Sequence, residues 1–209
     1  MQRLSSEDLD ALTEIINIGV GKAAGSLSDI IGSHVVLKVP KVDLFPLDDL
    51  HKIANKLGHD RVSSVLQFFK GAFSGSAALI FPPESAVQLV SALTGDTVTS
   101  PSLDSVRSGT LMEIGNIVIN GILGSISNIL KCSLDFSLPE YRDISTITEL
   151  VSHNILNNHS GLIVFAEANF FIKALEISGF IVVLFEIKSL ENLTSMIANA
   201  IYARDSNAV

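Results

Sequence analysis

Apolar positions along the chain follow two different periods, and these mark out its elements. Between Ser5 and Gly32 the residues Ile16, Val20, Ala23, Leu27 and Ile30 fall three or four apart, the period of one face of an amphipathic helix. Ser5 and Ser6 precede it as caps, Glu7 and Asp8 suit the positive end of its dipole, and Gly32 suits its stop. Residues 35–39 and 133–138 are short strand candidates that end at Pro40 and Pro139, where a ladder loses its donor. Residues 65–73 and 76–81, joined around Ser74-Gly75, read as a hairpin. Residues 162–175 and 180–187, joined around Ser178-Gly179, read the same way. Helical spacing returns at 84–93, 111–130 and 190–201.

The pattern also repeats. Glu14 and Glu113 are 99 positions apart, and so are Asn17 and Asn116, and Pro40 and Pro139. Each half therefore carries Glu-x-x-Asn followed 23 residues later by Pro. The later segments Ser74–Phe81 and Ser178–Phe185 match at an offset of 104, which implies a few inserted residues. The chain, residues 1–209, reads as one domain of two pseudo-repeats, about 5–97 and 104–200, with a Thr/Ser-rich connector at 95–105 and a loose tail at 203–209. Each half reads helix, strand, helix, strand hairpin, helix. The fold class expected is α+β, internally duplicated and pseudo-twofold. It has a largely antiparallel central sheet and two long motif-bearing helices exposed on one face.

Helical geometry puts residues three and four apart on one face. In the first repeat that face carries Asp10, Glu14, Asn17 and Gly21; in the second it carries Glu113, Asn116, Asn120 and Gly124. A wet helix face explains Glu and Asn once. Asn is a mediocre helix former, and solvation does not call for it twice at the same phase, so the doubled motif points to a site.

Composition narrows the classes. Of 209 residues 47% are apolar and 17% charged, enough to build a core. A net charge of −8 argues against nucleic acid, whose phosphates call for clustered Lys and Arg. Cys132 is the sole cysteine, so no internal disulfide forms and the cytoplasm is the expected compartment. The mean hydropathy of +0.45 raises the question of a membrane. The best candidate span, residues 111–130, carries Glu113, Asn116, Asn120, Ser125, Ser127 and Asn128, too polar for hydrocarbon, and no membrane insertion is expected. Gly19-Val-Gly21-Lys22 lacks the remaining residues of a phosphate-binding loop. The five histidines show no ligand spacing, and Gly71–Gly75 lacks the serine of a nucleophile elbow. Cys132 reads as packing rather than as a nucleophile.

Glu14-x-x-Asn17 and Glu113-x-x-Asn116, each on a long helix and each followed by Pro40 or Pro139, resemble the CheC family of chemotaxis phosphatases, which includes CheX and FliY. The resemblance extends to Asn17-Ile-Gly-Val-Gly-Lys-Ala-Ala and covers nearly the whole chain; two motifs resemble CheC more than the one-motif CheX. It implies hydrolysis of the aspartyl phosphate of the response regulator CheY. On that reading Asn17 and Asn116 enter the partner's phosphorylation cleft and orient a water, while Glu14 and Glu113 engage a partner lysine. The family pattern has Asp or Ser four residues before the Glu. Asp10 satisfies it, whereas Gly109 holds the place in the second half, with Ser108 beside it as a stand-in. No metal of its own is implied; Mg2+ would come bound to the response regulator. The receptor deamidase CheD is a further expected partner, docking near 141–152, a segment read as an amphipathic helix through Ile144, Ile147 and Val151. A catalytically idle adaptor for CheY, CheD or the flagellar switch is the alternative. Since duplication supplies its own pairing, a monomer is expected.

Overall fold

Two long helices, α1 (Ser6–Ile31) and α3 (Ser105–Ile129), pack together over one face of an eight-stranded sheet. The computed structural model of the chain describes residues 6–39, 42–46, 49, 52, 61–95, 105–144, 161–172, 175–186, 192, 195–197 and 199. The strands are β1 (Val35–Lys38), β2 (Val42–Pro46), β3 (Val62–Gly71), β4 (Gly75–Phe81), β5 (Leu134–Phe136), β6 (Glu140–Ile144), β7 (Gly161–Ile172) and β8 (Leu175–Glu186). A shorter helix, α2 (Pro83–Thr94), begins with proline at its first turn and ends at Gly95, whose φ of 77° and bond to the Ser91 carbonyl close it. The molecule is α+β.

Among the described residues all seven strand pairings are antiparallel. The order β1-β7-β8-β4-β3-β5, with β2 also on β7 and β6 also on β3, reads the same from either end when the halves are exchanged. Each half therefore lends its first two strands to the other half's hairpin. Where Ser74-Gly75 is aligned with Ser178-Gly179, Ala78 pairs directly with its own counterpart, Val182. The centre of the sheet is thus a seam between the repeats.

Two elements differ from the sequence expectation. Residues 42–46 and 140–144 are strands, where a helix is expected after each proline. The reason is tertiary: beyond β1 and β5 the edges of β7 and β3 still offer unpaired groups, and the chain resumes the ladder there. Ser63 Oγ lies 3.3 Å from the Tyr141 hydroxyl, and Ser64 Oγ donates to the Arg142 carbonyl at 3.0 Å, which ties β6 down. The rest of the 141–152 helix, the Ser5 cap, most of 190–201 and the 203–209 tail lie outside the described residues, and Ser6, expected to precede α1, is its first residue.

The second hairpin also turns elsewhere. It closes at Ile172↔Leu175, and Ser178-Gly179 sits inside β8, opposite Asn169 and Ala168. Gly179 serves close approach, because a Cβ there would stand 2.5 Å from Cε1 of Phe81. Gly75 is likewise tight: its Cβ would collide with the Leu184 carbonyl oxygen.

The helices bury Leu12, Ile16, Val20, Ala23 and Leu27 from α1, and Leu111, Ile114, Val118, Ile122 and Ile126 from α3, against the inner face of the sheet. Ile30, expected in the buried stripe, is 65% exposed; the stripe reaches the core only as far as Leu27. The two helices touch at glycine, since a Cβ on Gly19 would lie 2.5 Å from the Ile122 Cα. Among the described residues Ser108–Ile129 is a helix long and apolar enough to cross a membrane by composition. Its leucines and isoleucines are accounted for by the core they fill. The outer face of the sheet carries a smaller apolar cluster around Leu66, Ile80, Phe165 and Val182.

Candidate functional site

On α1, Asp10, Glu14 and Asn17 are all exposed, one turn after another, and Gly21 follows on the same exposed line. The buried residues between them (Leu12, Ile15, Ile16 and Val20) anchor that ridge to the core. A Cβ on Gly21 would meet nothing within 4 Å, so the surface beyond Asn17 is open. On α3, Glu113 is exposed, Asn116 is half-buried, and Ser108 and Gly109 at the start of the helix are half-buried.

The two asparagines differ in their surroundings. Asn116 Oδ1 accepts a hydrogen bond from Asn120 Nδ2 at 2.7 Å, one turn on along α3. Gln67 Nε2, from β3, approaches the same oxygen at 3.5 Å and donates to the Ser137 carbonyl at 2.9 Å. Ser137 is itself pinned to the strand, its N–H donating to the Phe68 carbonyl at 2.9 Å and its Oγ accepting from the Phe68 N–H at 3.0 Å. The closeness of α3 to β3 has a local cause. Gly115 lies directly over Val65, where a Cβ would sit 2.5 Å from the valine Cβ. Val65, Gln67 and Phe69 share the inner face of β3 by strand alternation, so the contact at Gly115 lowers Asn116 to the level of Gln67.

Gln67 and Asn120 were not singled out as site residues by the sequence. Their signal is present in it nonetheless: Gln67 is a lone carboxamide at an inward position of the apolar run Val62–Phe69, and it is only 2% exposed. Gln67 Oε1 and Asn120 Oδ1 find no hydrogen-bond partner among the described residues. Among the described residues there is also no cluster of three His, Cys, Asp or Glu suited to a metal ion. Burial pushes the Cys132 thiol above its ordinary value, opposed by weaker hydrogen bonds.

A sequence model described as "Chemotaxis phosphatase CheX" matches residues 62–155, which include the whole α3 motif and Pro139. The chain is 28% identical to the CheY-P phosphatase CheC of Bacillus subtilis over 66% of each protein. By these matches the chain is similar to members of the CheC/CheX/FliY family. It is also 26% identical to the flagellar motor switch phosphatase FliY of Bacillus subtilis over 70% of this chain and 38% of that protein. The chain therefore spans less than two thirds of the length of these two relatives. In three dimensions the Thermotoga maritima FliY structure superposes with a TM-score of 0.77 at 17% identity, covering 95% of this chain and 100% of that one. That likeness shows a shared α+β fold with a mostly antiparallel sheet and long helices.

Proposed function

We propose that this chain is a phosphatase that hydrolyses the aspartyl phosphate of a CheY-type response regulator, with Asn17 and Asn116 as the inserted carboxamides. An acyl phosphate is already a reactive bond, so the catalyst need not supply a nucleophile. It has to hold a water in line with phosphorus and keep two proteins in register. A carboxamide fits the first task, since its oxygen accepts from the water and its NH2 donates elsewhere. Glu14 and Glu113, exposed one turn before each asparagine, fit the second by meeting a cation on the partner. Asp10 and Ser108 are the proposed anchoring residues at the helix starts. Mg2+ would arrive bound to the regulator, and the setting is the cytoplasm.

The observation that carries this reading is the doubled ridge: two long helices, packed together, each with an exposed carboxylate one turn before an asparagine. The names of the matched relatives support the same reaction. Phosphate release from a phosphorylated response regulator tests it. The wild type is expected to accelerate release, and Asn17→Ala with Asn116→Ala is expected to reduce the acceleration on the order of 10²-fold while binding survives. Binding without any acceleration by the wild type would favour the adaptor instead.

A further inference from the structure

The two ridges match in sequence phase but differ in how their carboxamides are held, and that difference rests on three neighbouring positions. On α3 the residue four after the asparagine is Asn120; on α1 it is Gly21. Below α3 stands Gln67 on β3, whereas the corresponding inner-face positions of β7, Ala166 and Ala168, are alanines. The residue just before the asparagine is Gly115 on α3 and the buried Ile16 on α1, so only α3 can lie directly on its strand.

The hydrogen bonds fix the direction of the second carboxamide. Gln67 Nε2 must face the Ser137 carbonyl, an acceptor with no donor to offer. The same nitrogen therefore faces Asn116, and Asn120 Nδ2 faces it from the next turn. Both neighbours present donors, so Asn116 turns its oxygen inward and its NH2 outward. Orienting an attacking water needs an acceptor, and the resting Asn116 has that acceptor engaged. Gly21 offers no side chain to hold Asn17 in the same way.

We propose that Asn120, supported by Gln67, is a positioning residue that holds the second site with its carboxamide oxygen turned inward, leaving the Asn17 site as the one ready for hydrolysis. The second site acts only after the Asn116 carboxamide turns over. Rotation of Asn120 in step supplies one acceptor, because its unpartnered Oδ1 then accepts from the Asn116 NH2. Gln67 Nε2, held by the Ser137 carbonyl, faces that NH2 donor to donor and opposes the turn.

The inference rests on the phosphatase reading, and reciprocal exchanges separate the two. In an Asn17→Ala background, where only the second site remains, Asn120→Ala is expected to raise kcat for regulator dephosphorylation about 3–10-fold, the span of one hydrogen bond released. In an Asn116→Ala background, Gly21→Asn is expected to lower kcat by a similar factor. KM should stay put in both, because docking of the ridge is untouched; a merely structural role would move KM or the melting temperature instead. Gly21 is exposed with open space around it, so the second exchange decides the matter even if Asn120→Ala fails to fold. Unchanged kcat in both exchanges, or a fall with folded Asn120→Ala, overturns the clamp while leaving the phosphatase standing. A wild type without any hydrolysis overturns the phosphatase reading itself.

Discussion

At the scale of single residues, glycines in the two long helices show how one residue type serves opposite ends. Gly115 exists because α3 must lie on Val65, and nothing larger than hydrogen fits between them. Gly25 on α1 is exposed, and a Cβ there would meet nothing within 4 Å. Gly115→Ala is therefore expected to cost about 1–3 kcal/mol through overpacking. Gly25→Ala is expected to gain about 0.5–1 kcal/mol by restricting the unfolded chain in a helix interior. Urea unfolding midpoints with unchanged slopes check both. The motif residues were legible because a repeat reveals itself by phase: Glu14, Asn17, Glu113 and Asn116 stand out without any knowledge of the fold. Gln67 did not, because its meaning depends on α3 being pressed down at Gly115, 48 residues away in the chain.

At the scale of elements, the helices and long strands followed their periods, while one of the two hairpin turns did not. Ser-Gly after an apolar run suggests a hairpin turn, and the first hairpin does turn close to Ser74-Gly75. In the second hairpin the same dipeptide lies within β8, where Gly179 makes room for the ring of Phe81. Glycine marks a turn and a close approach with the same letter, and only the neighbour across the sheet separates them. Gly179→Ala is accordingly expected to destabilise the protein by about 1–3 kcal/mol, as overpacking against Phe81, whereas a flexible turn residue would tolerate alanine at much smaller cost. A thermal melt of the variant beside the wild type measures it. β2 and β6 escaped notice because they are short and half-exposed, and their pairing depends on an edge that distant segments build.

For the whole molecule, the reciprocal lending of strands makes the two halves mutually dependent. β1 and β2 pair with β7, and β5 and β6 pair with β3, so separation strips each hairpin of its outer neighbours and splits the sheet along β4 and β8. Residues 1–100 and 101–209 expressed apart are expected to show no cooperative unfolding transition. Mixed together, they are expected to co-elute and recover a melt; size-exclusion chromatography with circular dichroism reads both, and a stable isolated half would contradict it. The sequence by itself determined the duplication, the two helices and the paired Glu-x-x-Asn ridges, because periodicity and phase are local properties that survive without a partner. Only the tertiary structure decided which strands pair, where the second hairpin turns and how each carboxamide is held. Those outcomes depend on which edge stays unpaired, which ring lies across the sheet and how closely a helix can sit on its strand, and each is a contact between residues far apart in the chain.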